Sequence, residues 1–319
     1  MRRNSMNRKM QKFLAVLLST TMCLSLVACG DEVVITEDNT QNAQVTEVTE
    51  QQEPASEVQE EDGSWAVYWY LCGSDLETNG GFATTDLDEM LQVDLPENVN
   101  VVIQTGGAAV WQNEYMDPAK IQRWLYNSEG LQLLEEQDTA NMGEAQTLYE
   151  FLAFANENYP ADKVAVTFWN HGGGSVNGAA FDEIYGYDSL DLSEMYQAFD
   201  AVWPADTDNP SLDLVGFDTC LMATIDVAAV FQNFAKYLVA SEEVEPGNGW
   251  YYTGWLGALA DNPGMNGEDL GIAICNSYYE GCEAVGTQDQ TTLSVTNLTK
   301  LTPLLDAYET FGQEAFVAA

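Results

Sequence analysis

Val164-Ala165-Val166-Thr167-Phe168-Trp169-Asn170-His171-Gly172-Gly173-Gly174 is the stretch that decides the fold. The apolar, β-branched and aromatic run from Val164 to Trp169 reads as a buried strand. It ends at His171, the one histidine in 319 residues, and three glycines follow. A second run, Leu212-Asp213-Leu214-Val215-Gly216-Phe217, passes through Asp218 and Thr219 to Cys220. Two strand patterns thus end in the two side chains that make a nucleophile and its base. In parallel α/β sheets, ligands and chemistry sit at the carboxyl ends of the strands.

Outward from these runs, strand-like and helix-like segments alternate. Strands are predicted at Trp65 to Leu71, Val99 to Gln104 and Tyr237 to Ala240, with a candidate from Thr291 to Val295. A hairpin is predicted at Ile121-Tyr126 and Leu131-Leu134, turning through Ser128-Glu129-Gly130. Helices are predicted over Thr85 to Gln92, Gly143 to Asn158, Ser193 to Val202, Ala223 to Asn233, Asn266 to Glu283, and from Lys300 onward. Asp75 and Thr78 fall in a predicted loop, as does the acid- and glycine-rich Glu242 to Trp250. Strands separated by helices imply parallel pairing with right-handed crossovers. Near-continuous apolar strands imply a sheet covered on both faces. The expected fold is α/β, three layers, with a mostly parallel sheet between helices. The last predicted helix is still running at Ala319, which reads as a short or truncated C-terminal part.

Residues 1–28 read as a targeting segment. Arg2, Arg3, Arg8, Lys9 and Lys12 precede an apolar stretch, Phe13 to Val27, that is short for a membrane span. It ends Leu26-Val27-Ala28-Cys29, which resembles a bacterial lipoprotein cleavage site. That resemblance implies lipidation of Cys29; an ordinary secretory signal is the alternative. Residues 29–63 are polar and acidic, with too little apolar area to offset the entropy of ordering, and read as a disordered tether. Residues 64–319 are the expected globular domain. The expected location is the outer face of the cell envelope, anchored by lipid.

The chain carries 51 acids against 10 bases, a formal charge of −41. Half of those bases lie in the targeting segment. Such a surface excludes nucleic acid as a partner, because phosphates demand positive charge. It suits solubility and the long-range steering of cationic substrates. Cys72, Cys220, Cys275 and Cys282 remain in the domain. Cys275 and Cys282 share a predicted helix at a spacing that forbids a bridge. No paired CxxC motif points to zinc, and one histidine makes a histidine-based metal site improbable.

A thiolate attacks an acyl carbon far better than a thiol, so a cysteine nucleophile needs a neighbour that favours its ionised form. Cys220 precedes the helix predicted from Ala223, whose N-terminus favours an anion. His171 is placed to activate the thiol or to protonate a leaving amine. The Gly172 amide is the candidate oxyanion donor. The same residues also suit a buried small hydrophobe and a strand-ending turn. Asp218 has a second reading too, as the N-cap of the following helix.

Several segments resemble the clostripain family of cysteine endopeptidases, relatives of the caspases. They are Tyr70-Leu71-Cys72-Gly73-Ser74-Asp75-Leu76-Glu77, Asn141-Met142-Gly143, Trp169 to Gly174, Phe181-Asp182-Glu183, Gly216 to Met222, and Ala240 to Trp250. The ordered set spans roughly residues 65 to 300. The resemblance implies a caspase-like three-layer fold, with His171 as general acid/base and Cys220 as nucleophile. It implies that Asp218 lines a pocket for Arg or Lys before the scissile bond, with Asn248 and Trp250 also on the substrate side. The family commonly has Asp where this chain has Asn248. Relatives are often activated by a cut after a basic residue between the two strands, and between His171 and Cys220 there is no Lys or Arg.

The resemblance implies no cofactor for the chemistry itself. Some relatives depend on calcium, for which Asp182 and Glu183 are the candidate ligands. The expected function is a surface-tethered hydrolase, a cysteine peptidase cleaving proteins or peptides after Arg or Lys. The alternative is a catalytically silent binding lipoprotein on the same scaffold. A carbohydrate-binding module built on Trp65 and Trp69 is weaker, since those residues lie in core-like strands.

Overall fold

The computed structural model describes residues 63–318. The targeting segment, Cys29 and the tether up to residue 62 lie outside the described residues. Ten strands and nine helices are used below. The strands are β1 (Trp65–Cys72), β2 (Val99–Gly106), β3 (Lys120–Asn127), β4 (Gly130–Asp138), β5 (Lys163–Trp169), β6 (Ala179–Asp182), β7 (Asp188–Leu190), β8 (Leu212–Asp218), β9 (Ala235–Ser241) and β10 (Leu293–Asn297). The helices are α1 (Ser74–Gly80), α2 (Phe82–Met90), α3 (Ala145–Asn158), α4 (Gly174–Asn177), α5 (Leu192–Val202), α6 (Ile225–Phe231), α7 (Tyr252–Asp261), α8 (Gly267–Val285) and α9 (Thr302–Ala318).

Eight strands form one sheet in the order β10-β9-β8-β5-β1-β2-β3-β4. The middle five, β9, β8, β5, β1 and β2, pair in parallel. β10 and the β3–β4 hairpin close the two edges antiparallel. The chain builds β1 first, moves outward through β2, then returns to lay β5 on the other side of β1. The order therefore reverses between β1 and β5, which opens a crevice at their carboxyl ends.

β1 shows why helices cover both faces. All eight of its residues are buried. Side chains alternate across a strand, so Ala66, Tyr68, Tyr70 and Cys72 enter one core while Trp65, Val67, Trp69 and Leu71 enter the other. The first core packs against α3, α5 and α6, and Phe168 stacks on Phe217 there with ring centroids 4.9 Å apart. The second packs against α2, α7 and α8, and Trp69 stacks on Tyr252 at 4.4 Å. This is the expected mostly parallel α/β sandwich.

Three elements depart from the sequence reading. Asp75 and Thr78 lie in α1, not in a loop. That helix has no apolar stripe. It is fixed by the buried Glu77, whose carboxylate accepts from the Thr84 amide at 2.9 Å, the Thr84 hydroxyl at 2.6 Å and the Gln112 amide at 2.6 Å. α7 was not anticipated, because Gly254 and Gly257 interrupt its helical pattern. β6 and β7 form a separate antiparallel hairpin. Among the described residues, no helix is long and apolar enough to cross a membrane.

Candidate active site

Asn170 sets the stage for His171. Its side-chain amide donates to the Cys72 carbonyl at 2.5 Å, and its Oδ1 accepts from the Phe181 amide at 2.9 Å. The end of β5 is thereby tied to the end of β1 and the start of the β6–β7 hairpin. His171 Nε2 lies 2.8 Å from Asp75 Oδ1. Asp75 follows β1, so the pair bridges the two strands that flank the crevice. Asp75 acts only as an acceptor when ionised, so Nε2 carries the hydrogen and Nδ1 is the imidazole nitrogen left for other chemistry.

Gly172 is required by close approach. A β-carbon there would stand 2.0 Å from the Cys220 carbonyl oxygen and 2.7 Å from Thr219 Oγ1. The turn after β5 therefore rests directly on the turn after β8, with only hydrogen atoms between them. Gly173 donates to the Gly178 carbonyl at 2.7 Å; among the described residues the Gly172 amide has no acceptor, and Gly172 is not one of the residues lining the cleft.

Cys220 stands two residues beyond β8, and its Sγ accepts from the Glu245 amide at 3.3 Å. That N–H is the backbone donor placed on the sulfur. Sequence reasoning looked to the next helix to favour a thiolate. α6 starts only at Ile225, with Thr224 as its N-cap accepting from the Val227 amide, so its N-terminus is spent five residues away. The same observation removes the N-cap reading of Asp218. Leu221, next to Cys220, has φ 67°, and Ser74, next to Asp75, has φ 53°. Non-glycine residues in this region carry strain of order 1–3 kcal/mol, which surrounding structure must enforce. Here it flanks the thiol and the partner of the imidazole.

Asp218 is the last residue of β8 and is 4% exposed. Its Oδ1 accepts from the Trp250 amide at 3.2 Å and its Oδ2 from the Tyr252 hydroxyl at 2.9 Å. Burial pushes its carboxyl up to about 7. Burial and the Asp218 charge push Glu245 higher, and both residues line the same cleft. Asp86, buried behind them, accepts from the Trp169 indole at 2.6 Å and is also raised by burial first and Asp218 second.

One cleft of about 230 Å³ collects these groups. His171, Cys220, Asp218, Thr219 and Glu245 line it, with Leu76, Phe82 and Trp169 as apolar walls. Asn248 is elsewhere. Its amide donates to Cys282 Sγ at 3.3 Å and its Oδ1 accepts from Thr287 at 3.1 Å, tying it to α8. Trp250 is fully buried and reaches Asp218 only through its backbone. Asp182 and Glu183 diverge. Asp182 accepts from the amides of Met142, Ile184 and Tyr185, while Glu183 accepts from Thr78 and Ala109. Among the described residues there is no group of three or more His, Cys, Asp or Glu that could hold a metal ion. All four cysteines of the described domain are free thiols.

Sequence reasoning missed Asp75 and Glu245 as site residues. A signal existed for Asp75, since it follows the apolar β1 run much as His171 follows β5. None singled out Glu245 among the four acids and amides of its loop.

Fold and site define a class: an α/β protein that gathers a cysteine, a histidine and buried acids at the carboxyl ends of a mostly parallel sheet. The clostripain family (peptidase C11) matches residues 69–318, and the chain belongs to it. Clostripain of Hathewaya histolytica is 32% identical over 142 residues, which are 41% of this chain and 27% of that protein. The match thus spans about a quarter of that relative's length. A secreted C11 cysteine protease from Bacteroides thetaiotaomicron, solved with an irreversible peptide inhibitor, has a TM-score of 0.59 at 22% identity, covering 77% of this chain and 69% of that one. An inactive zymogen C11 protease from Parabacteroides distasonis has a TM-score of 0.56 at 19% identity, covering 75% and 63%. At these identities the likeness concerns the fold.

Proposed function

We propose that this chain is a cysteine endopeptidase that hydrolyses peptide bonds after Arg or Lys. The observation that carries the reading is the shared cleft, which brings the Asp75-held His171, the amide-capped Cys220 and two buried carboxyls together. The Cys220 thiolate attacks the scissile carbonyl carbon, and the carbonyl electron pair moves to oxygen. The Gly172 amide donates to that oxyanion, a kind of contact worth about 3 kcal/mol in the transition state. The imidazolium of His171 gives a proton to the leaving amine as the C–N bond breaks, leaving a thioester on Cys220. Neutral His171 then takes a proton from water, whose oxygen attacks the thioester and releases the acid. Asp75 keeps the ring in one orientation throughout. No step needs a metal, and calcium is included in the assay as an additive.

The relative from Bacteroides thetaiotaomicron is described as secreted. Together with the basic-apolar start of the chain and Cys29, this supports export and a lipid anchor facing outward. The test is turnover of short reporter peptides differing in the residue before the scissile bond, with calcium and with chelator. The wild type should cleave Arg and Lys reporters, and Cys220→Ala should reduce the rate by at least about 10³-fold. Full activity in Cys220→Ala, or no turnover of any reporter by the wild type, rejects the assignment.

A further inference from the structure

The described domain contains five cations, Lys120, Arg123, Lys163, Lys236 and Lys300, and none of them lines the cleft. Lys120, Arg123 and Lys236 pair with Asp138, Glu135 and Asp213, and Lys163 is held by carbonyls including those of Gly264 and Met265. Asp218 and Glu245 therefore line one cleft with no Lys or Arg beside them, and His171 is the one group lining it that can carry positive charge. The titratable groups around them on neighbouring elements add none: Asp86 and Glu89 from α2, Cys220 from its own turn, Tyr252 from α7, and Cys275 and Tyr278 from α8.

The floor of the cleft also holds polar atoms with nothing to bond. Glu245 Oε1 is sealed from water and has no partner among the described residues. Thr219 Oγ1, which also lines the cleft, is in the same condition on a residue 2% exposed. A buried polar atom left unpaired is costly. Two such atoms beside one carboxyl pair mark a place built for a polar, cationic guest. Asn248, where the family resemblance expects the second acid, is instead tied to α8.

We propose that Glu245 is the second acid of the specificity pocket, and that it and Asp218 hold one proton between them which the entering substrate cation displaces. This rests on the reading that the enzyme cleaves after basic residues. In the empty pocket the Glu245 carboxyl donates to the Asp218 carboxylate, because two charges cannot both persist in a desolvated site. When a guanidinium enters, both carboxyls are ionised, the proton leaves to solvent, and the cation bonds both oxygens. Discrimination for Arg is then linked to one proton.

The experiment uses the full chain and two reporters that differ only in Arg against citrulline, its neutral isostere, before the scissile bond. The quantity read is the ratio of their kcat/KM values across a pH series, in which titration of the His171 and Cys220 pair cancels. In the wild type the ratio should rise up to about tenfold per pH unit at low pH and flatten above the pair's titration. In Glu245→Gln the high-pH ratio should fall about 10–100-fold and the rise with pH should move to lower pH, with most of the change in KM for Arg. Glu245→Asp should keep the slope. A wild-type ratio independent of pH, a Glu245→Gln ratio like that of the wild type, or restoration of Glu245→Gln by Asn248→Asp would each overturn the proposal. If the wild type cleaves both reporters equally at every pH, the basic-residue reading fails with it; if it prefers Arg and only the variant result goes wrong, that reading survives. Labelling of Cys220 by a thiol-directed peptide probe confirms that each variant has folded, and the wild-type slope stands independently of any variant.

Discussion

Replacing Gly172 with Ala probes the contact on which the site depends. The new β-carbon would sit 2.0 Å from the Cys220 carbonyl oxygen and 3.0 Å from its carbonyl carbon. Ordinary carbon–oxygen contacts are about 3.3–3.6 Å, so the two turns must separate by more than about 1 Å. Both atoms met are backbone atoms and cannot rotate away. Gly172 is not in the left-handed region, so the effect is one of space alone. Displacing reacting groups by about 1 Å costs on the order of 10²-fold in rate, and overpacking costs about 1–3 kcal/mol of stability. The assay is kcat/KM on an Arg reporter together with a thermal melt. Gly257→Ala is the control, since nothing lies within 4 Å of a β-carbon on that α7 residue. It should leave activity unchanged and gain about 0.5–1 kcal/mol from helix propensity. A Gly172→Ala enzyme within about threefold of wild type, with an unshifted melt, would refute the reasoning that the His171 and Cys220 turns meet through this glycine.

Asp75→Ala should lower kcat about 10–100-fold with little change in KM, because it frees the ring of His171 without touching the pocket; unchanged kcat removes Asp75 from the account. Stability should fall as pH rises from about 4 to about 7. Burial raises the Asp218 and Glu245 pair, to about 7 at Asp218, so over that window the folded pair retains its shared proton, which the unfolded chain has released. Denaturation midpoints across pH test this, and Asp218→Asn should flatten the fall; a midpoint that climbs through the window contradicts the buried pair. Tyr252→Phe removes the hydroxyl 2.9 Å from Asp218 Oδ2. It should weaken the preference for Arg over a neutral residue several-fold through KM, and equal losses on both reporters would argue against that contact.

The sheet was legible because β5, β8 and β1 are continuous apolar runs, and a strand buried on both faces has no other way to read. His171 and Cys220 were legible for the same reason, each standing just past such a run. What stayed hidden depends on contacts distant in sequence. α1 is held by Glu77 reaching Thr84 and Gln112, not by any apolar period. Asp75 and His171 stand 96 positions apart, and only the parallel pairing of β1 with β5 makes them neighbours. In the loop from Glu242 to Trp250 the sequence shows which residues are acidic, but not which one turns inward. The family resemblance drew attention to Asn248, whereas Glu245 is the residue whose amide reaches Cys220 and which lines the cleft with Asp218.

The central claim is that Cys220, served by His171, is the nucleophile of a site that accepts a cationic side chain. It is tested most directly with a short peptide ending in Arg and carrying a ketone with a displaceable group beside it, followed by intact mass and mapping of the modified residue. The expected result is one adduct per chain, on Cys220, formed much faster than with the citrulline analogue and slowed in His171→Ala. Modification spread over Cys72, Cys275 or Cys282, or a Cys220 adduct forming equally fast with either peptide and without His171, would contradict the claim.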